Sequence, residues 1–332
     1  MVLAVLAGMA SATDGTSSPG LREHLYAAEV LPDGTRVFAV GAFGSIYRSD
    51  DAGKSWEQQA TAVTEPLFGV SFPTGDHGVA VGKSGTILRT TDGGRRWERV
   101  TPPTDKHLFG VTMIDANRGW AVGDWGIVLN TKDGGATWTD RSLGQDVVLS
   151  AVCFADERHG WIVGEFGTVL ATADGGESWA PQSAGTEKTL FGVAFSSVER
   201  GWAVGMDGLV LRTRDGGVTW EVQRGQAAAG SLEELGFMDL LTNPGLYDIA
   251  IGRTTGWIVG DTGTVLATTD GGETWEARKL PEDVRLLWLR GAAVNLDGVG
   301  LMVGAKGLVV PAAGGELRLS DQGERYAART IR

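Results

Sequence analysis

Six aspartates, Asp51, Asp92, Asp133, Asp174, Asp215 and Asp270, sit in one recurring phrase, Ser/Thr-x-Asp-x-Gly-x-x-Trp, that ends at Trp56, Trp97, Trp138, Trp179, Trp220 and Trp275. Repeated carboxylates first suggest calcium, but each stands alone in its loop, without the ligand density of an oxygen cage such as the EF-hand. In a turn of this type the carboxylate accepts hydrogen bonds from the turn's own N–H groups, while the glycine takes a conformation closed to other residues. The four histidines, His24, His77, His107 and His159, do not cluster at ligand spacing, so no metal is expected. A glycosidase with a tyrosine nucleophile would need an acidic partner and, for a carboxylated sugar, an arginine cluster. Only Tyr26 and Tyr247 are placed to approach a central axis, with Arg290, just after Trp288, the clearest arginine beside them. That constellation is thin, and no catalytic residue is assigned. No glycine loop opens a helix at phosphate-binding spacing, so no cofactor is expected either. Cys153, the single cysteine, lies in Ala151-Val-Cys-Phe154 and reads as a small buried hydrophobe.

The elements that must position these residues follow from spacing. The tryptophans are 41 residues apart four times and then 55, and each phrase is preceded by Val-Gly-x-x-Gly, with glycines starting at Gly41, Gly82, Gly123, Gly164, Gly205 and Gly260 and a degenerate seventh copy at Gly304. A period near 40 residues marks a repeat whose units must stack on one another to bury their faces. In the second unit, Leu67–Phe72, His77–Val81, Gly85–Thr90 and Arg96–Val100 are short runs rich in Val, Ile, Phe and Trp, separated by turn residues: four strands. The first two are nearly apolar throughout and the last two alternate, as expected if burial falls from an axis outward. Each tryptophan, on the outermost strand, is expected to cover the groove between neighbouring units. The fold class is therefore all-β, a seven-bladed propeller of four-stranded antiparallel blades over 24–321, with blades at about 24–61, 62–103, 104–145, 146–185, 186–226, 245–282 and 283–321.

Composition is consistent with this. With 51 glycines and 10 prolines in 332 residues, the chain has the turn content of many short strands. A net charge of −12 without Lys/Arg runs argues against a nucleic-acid partner. Arg48, Arg89 and Arg212 share one third-strand position, but Asn130, Ala171 and Ala267 fill it elsewhere, so no continuous basic patch is expected. Residues 1–20 begin with a short apolar run, Val2 to Met9, and reach Ala10-Ser-Ala12, a pattern like an export signal without its basic start. A periplasmic or exported location is the expectation; a floppy N-terminus is the plainer alternative. No stretch of the sequence is apolar enough to span a bilayer.

The phrase Ser/Thr-x-Asp-x-Gly-x-Thr/Ser-Trp resembles the Asp-box, or BNR repeat, of sialidases and related propellers. Its companion Gly-Trp-Ala/Ile-Val-Gly-x-x-Gly-x-Val-Leu, at Gly119 to Leu129, Gly160 to Leu170, Gly201 to Leu211 and Gly256 to Leu266, narrows the likeness to the photosystem II stability/assembly factor family of seven-bladed propellers, which has relatives in bacteria that do not photosynthesise. The resemblance covers about 24–320. It implies a non-catalytic scaffold that holds a protein during assembly; the sialidase side of the likeness implies a carbohydrate-active hydrolase or lectin instead. The seventh unit departs from the pattern, with Val310-Pro-Ala-Ala-Gly-Gly315 lacking both Asp and Trp, so the closing blade must pack differently.

Strand direction alternates, so the Val-Gly-x-x-Gly hairpins and the blade-to-blade connections share one face and the Asp-boxes the other. The hairpins carry the least uniform residues of the repeat: Phe43, Lys83, Asp124, Trp125, Glu165, Phe166, Met206, Asp207, Asp261 and Lys306 are the candidate partner-binding set, ringing one mouth of the channel. Exposed variable turns are the plainer reading. Residues 227–244 emerge on the same face and contain Ser231-Leu-Glu-Glu234, a capping box, followed by Leu235, Phe237, Met238, Leu240 and Leu241: a short helical insertion, either a lid on its own propeller or a partner helix. The 322–332 segment is a tail. The expected function is a protein-binding scaffold, or an assembly or accessory subunit, of a bacterial envelope or membrane complex such as a transporter.

Overall fold

The computed structural model describes residues 21–142, 144–225 and 243–318. It contains seven four-stranded antiparallel sheets, each made of four strands in chain order. In the second, Leu67–Ser71, Gly78–Gly82, Ile87–Thr90 and Glu98–Val100 pair in succession. The inner strands touch in a closed ring, the first (Leu25–Val30) against both the second blade's and the seventh's (Leu289–Val294). The architecture is the seven-bladed propeller that the period predicts. The helix expected at 227–244, with Leu235, Phe237, Met238 and Leu241, falls almost wholly outside the described residues; within them Asn243 and Pro244 belong to neither helix nor strand.

Burial peaks at the second strand rather than at the axis. Second strands such as Gly119–Gly123, Gly160–Gly164, Gly201–Gly205 and Gly256–Gly260 are buried along their whole length, whereas inner strands are mixed because one edge faces the channel. Trp120, Trp161, Trp202 and Trp257 are no more than 2% exposed. At roughly 150–250 Å² per ring and about 25 cal/mol per Å², each contributes on the order of 4–6 kcal/mol of transfer free energy, before the entropy of ordering it is subtracted.

The Asp-box builds the seams. Trp97 packs in one cluster with Phe38 of blade 1 and Phe72 of its own blade, meeting Phe72 edge-on at 5.8 Å. The second glycine of each box is where the preceding blade presses: a Cβ on Gly94 would lie 2.4 Å from Phe38, on Gly176 2.2 Å from Trp120, and on Gly272 2.3 Å from Trp202. Carbonyls of the glycine pair also accept hydrogen bonds from the preceding blade, at the first glycine from Arg48 to Gly93 (3.1 Å), Arg89 to Gly134 (2.8 Å) and Trp161 to Gly216 (3.0 Å), and at the second from Trp202 to Gly272 (3.1 Å). One turn thus serves two blades.

Blade 7 keeps the turn without its Asp and Trp: Gly314 and Gly315 have positive φ, and Arg278 of blade 6 donates to the Gly315 carbonyl at 3.1 Å. Its outer strand, Glu316–Leu317, is two residues long, and Leu317 packs in the cluster that holds Trp257. The ring closes without exchanging a strand. At the closing seam Leu21 packs on Gly307, the Lys306 N–H donates to Nδ1 of His24 (3.1 Å), and Gly53 and Trp56 face Leu301.

Candidate functional site

Each blade's second and third strands are joined by a turn whose two central residues both have positive φ, as in Phe43 (56°) with Gly44 (65°), closed by the Ser45 N–H donating to the Ala42 carbonyl at 3.1 Å. This is the pattern of a type I′ hairpin, whose twist matches the flanking strands and which favours Asn-Gly or Gly-Gly. Here the first central residue is Phe43, Ser84, Trp125, Phe166, Asp207, Thr262 or Lys306, all in the left-handed region. Phe43 is 75% exposed, Phe166 72%, Trp125 59% and, one position earlier, Met206 44%. Three aromatic side chains are thus held outward on left-handed backbone, a conformation that favours glycine.

The hairpins join the second and third strands and touch the inner strand of the next blade. Their charged residues divide in two. Asp261 accepts from the Tyr247 hydroxyl (2.7 Å), Glu165 from the Val148 N–H (3.1 Å), and Asp207 pairs with Lys188 at 2.9 Å, so these carboxylates tie hairpins to inner strands or to the connections before them. Asp124 lies 4.0 Å from Nδ1 of His107. Lys83 and Lys306 are exposed, and Lys106 sits over the Trp125 ring at 5.0 Å. Two histidines missed as structural groups, His24 and His107, occupy equivalent positions and accept from the N–H of Lys306 and Ser84 in the preceding blade's hairpin (both 3.1 Å).

On the opposite face the Asp-box carboxylates are consumed internally. In blade 4, Asp174 accepts from the Ser178 hydroxyl (2.6 Å) and N–H (3.0 Å) and from the Thr172 hydroxyl (2.7 Å), and these bonds hold its carboxyl down at about 2. The same bonds recur at Asp51, Asp133, Asp215 and Asp270, and at Asp92 with Arg96 in the last place. One grouping was not foreseen from sequence: Arg200, Arg212 and Arg214 converge on Glu273 at 2.6, 3.1 and 2.7 Å across the seam of blades 5 and 6. They come from a loop, a strand and an Asp-box, so no run of basic residues announces them.

The tyrosine and arginine chemistry considered from sequence is arranged differently. Burial, reinforced by the bond to Asp261, pushes the Tyr247 hydroxyl up to about 12, the opposite of what a nucleophile needs. Arg290 lies alone over the Tyr247 ring at 4.0 Å, not in a cluster. Burial likewise pushes the Cys153 thiol up to about 12. Inside the channel, Asp248 accepts from the Ala292 N–H of the next blade (2.9 Å) and Glu29 from that of Phe72, so each satisfies an inner-strand edge that has no further strand to pair with. Burial raises Asp248 to about 7, and burial together with the charge of Asp248 raises Glu29 to about 8.

No curated protein sequence matches the chain. Among solved structures, YCF48 bound to D1 peptide is 21% identical with a TM-score of 0.67, the match covering 89% of this chain and 95% of that one. YCF48 from Cyanidioschyzon merolae is 19% identical with a TM-score of 0.66, covering 89% and 96%. The GH74 xyloglucanase from Xanthomonas campestris, 13% identical with a TM-score of 0.69, matches 89% of this chain but 52% of its own. At these identities the structures share the fold. The family model described as photosynthesis system II assembly factor YCF48 matches at residues 20–91, 61–147, 90–180, 142–222, 178–238 and 230–317, and by that match the chain belongs to this family.

Proposed function

We propose that the protein is a non-catalytic scaffold that binds a protein partner on its hairpin face, as an assembly or accessory factor of a bacterial envelope or membrane complex. One observation carries this: Phe43, Trp125 and Phe166 are exposed aromatics on left-handed backbone, an arrangement that costs the folded state and buries little of each ring in return. Aromatic residues and Met are enriched in the buried centres of protein interfaces. Membership of the assembly-factor family, and a relative solved as YCF48 bound to D1 peptide, support the same reading. The apolar N-terminal run with Ala10-Ser-Ala12 supports export, and with it an envelope partner. A carbohydrate-active role draws support from the xyloglucanase likeness, but the raised Tyr247 and the lone Arg290 fit a hydrolase poorly.

The double variant Trp125→Asp/Phe166→Asp tests the proposal. Affinity purification of the tagged chain from its native membranes should lose its co-purifying protein, with the thermal melt unchanged. Retention of that protein by the double variant would remove the hairpin face as the site.

A further inference from the structure

Inside the ring of hairpins the inner strands build a second, more enclosed feature. In every blade the register slips by one residue directly after the leucine that opens the inner strand, as between Leu25 and Ala27, Leu67 and Gly69, and Leu246 and Asp248. The bulged residue is freed from the ladder, and a bulge re-aims its side chain. Five blades place an aromatic there, Tyr26, Phe68, Phe109, Phe191 and Tyr247; blade 4 has Ser150 and blade 7 Arg290. The rings form a collar: Tyr26 to Phe68 and Phe68 to Phe109 are 5.6 Å between centroids, and Phe191 to Tyr247 is 5.4 Å. Trp288 lies parallel to Tyr26 at 5.9 Å and is joined to Tyr247 through Arg290, so the line of rings is interrupted at Ser150 of blade 4. All five aromatics are half-buried, so the collar is lined but not sealed.

Arg290 is the one charged group in it. Its guanidinium lies on Tyr247 at 4.0 Å and near Trp288 at 5.8 Å, is exposed, and has no carboxylate within ion-pair distance among the described residues. Asp261, on the far side of Tyr247, already accepts that residue's hydroxyl. Beyond its hydrogen bond to the Tyr247 hydroxyl, a guanidinium held on aromatic faces still has N–H donors to offer an oxyanion. The collar's chemistry selects among ligands. A cationic guest would suit the rings but meet Arg290. A sugar would need several donors and acceptors, and the wall offers little beyond Ser150, the Tyr26 hydroxyl and Arg290.

We propose that the collar binds a carboxylate carried on an apolar body, the carboxylate pairing with Arg290 and the body enclosed by the ring of aromatics. Such a group occurs in a free apolar acid and in the C-terminal residue of a polypeptide. The site is separate from the hairpin aromatics, and the proposal does not depend on their binding a protein. Calorimetric titration of the full chain tests it with N-acetylphenylalanine, N-acetylphenylalaninamide and an octapeptide ending in a free Phe. The acid should bind at least about tenfold more tightly than the amide. Arg290→Gln should erase that preference without moving the melting temperature, and Phe68→Ser should weaken acid and amide alike. Tighter binding of the octapeptide than of the acid assigns the polypeptide end as the source; equal binding assigns the free acid. Equal affinity for acid and amide, no heat from the acid at about 10 mM, or a preference that survives Arg290→Gln would overturn the proposal.

Discussion

A left-handed backbone costs an L-residue about 1–2 kcal/mol, and glycine escapes it at an entropic cost of about 0.5–1 kcal/mol. Phe166, 72% exposed with φ of 54°, bears that cost without visible return. Phe166→Gly is therefore expected to stabilise the protein by about 0.5–1 kcal/mol, read as a higher urea midpoint at unchanged slope. A lower midpoint would show that the ring packs on something within the fold. That these positions are special was legible in the sequence, because they vary among copies of an otherwise uniform unit. The fates of Asp207 and Asp261 were not: Lys188 and Tyr247 meet them only once hairpin and inner strand are brought together.

Between blades, the Asp-box glycines join two demands, a positive φ and the pressure of the preceding blade. The two separate experimentally. Gly185, with φ of 67° and nothing within 4 Å of an added Cβ, carries only the first, and Gly185→Ala should cost about 1 kcal/mol. Gly94 carries both, with Phe38 2.4 Å from the added Cβ, and Gly94→Ala should cost about 2–4 kcal/mol by the same denaturation assay. Equal losses would show that the seam yields freely to the extra methyl. The sequence reveals the turn role through the spacing of Asp, Gly and Trp. It hides the seam role, since the residue that presses on each glycine comes from another blade and changes from Phe38 to Trp120 to Trp202.

Across the whole ring, the period gives the blade count directly, but what lies inside the channel depends on single departures from it. Glu29 stands where other blades have Ser71, Thr112, Cys153 or Ala194, and Asp248 where they have Gly69, Gly110 or Ala151. Their folded values, about 8 and about 7, lie above the ordinary 4.5 and 3.8, so the folded state holds more protons than the unfolded one between these limits. The stability they lend is full below the ordinary values and is lost as pH rises through the folded ones. Denaturation midpoints should accordingly fall from about pH 5 to pH 8, and Glu29→Gln with Asp248→Asn should flatten that slope. An unchanged slope in the double variant would place the proton uptake elsewhere. The closing seam has a different consequence. Each blade keeps its own four strands, so no hydrogen-bonded ladder crosses the closing seam, which is held by the contact of His24 with Lys306, Leu21 on Gly307 and the packing around Leu301. Mechanically the molecule is a bracelet whose clasp, between blades 7 and 1, is made among the described residues of side chains and a single backbone N–H rather than of a shared strand.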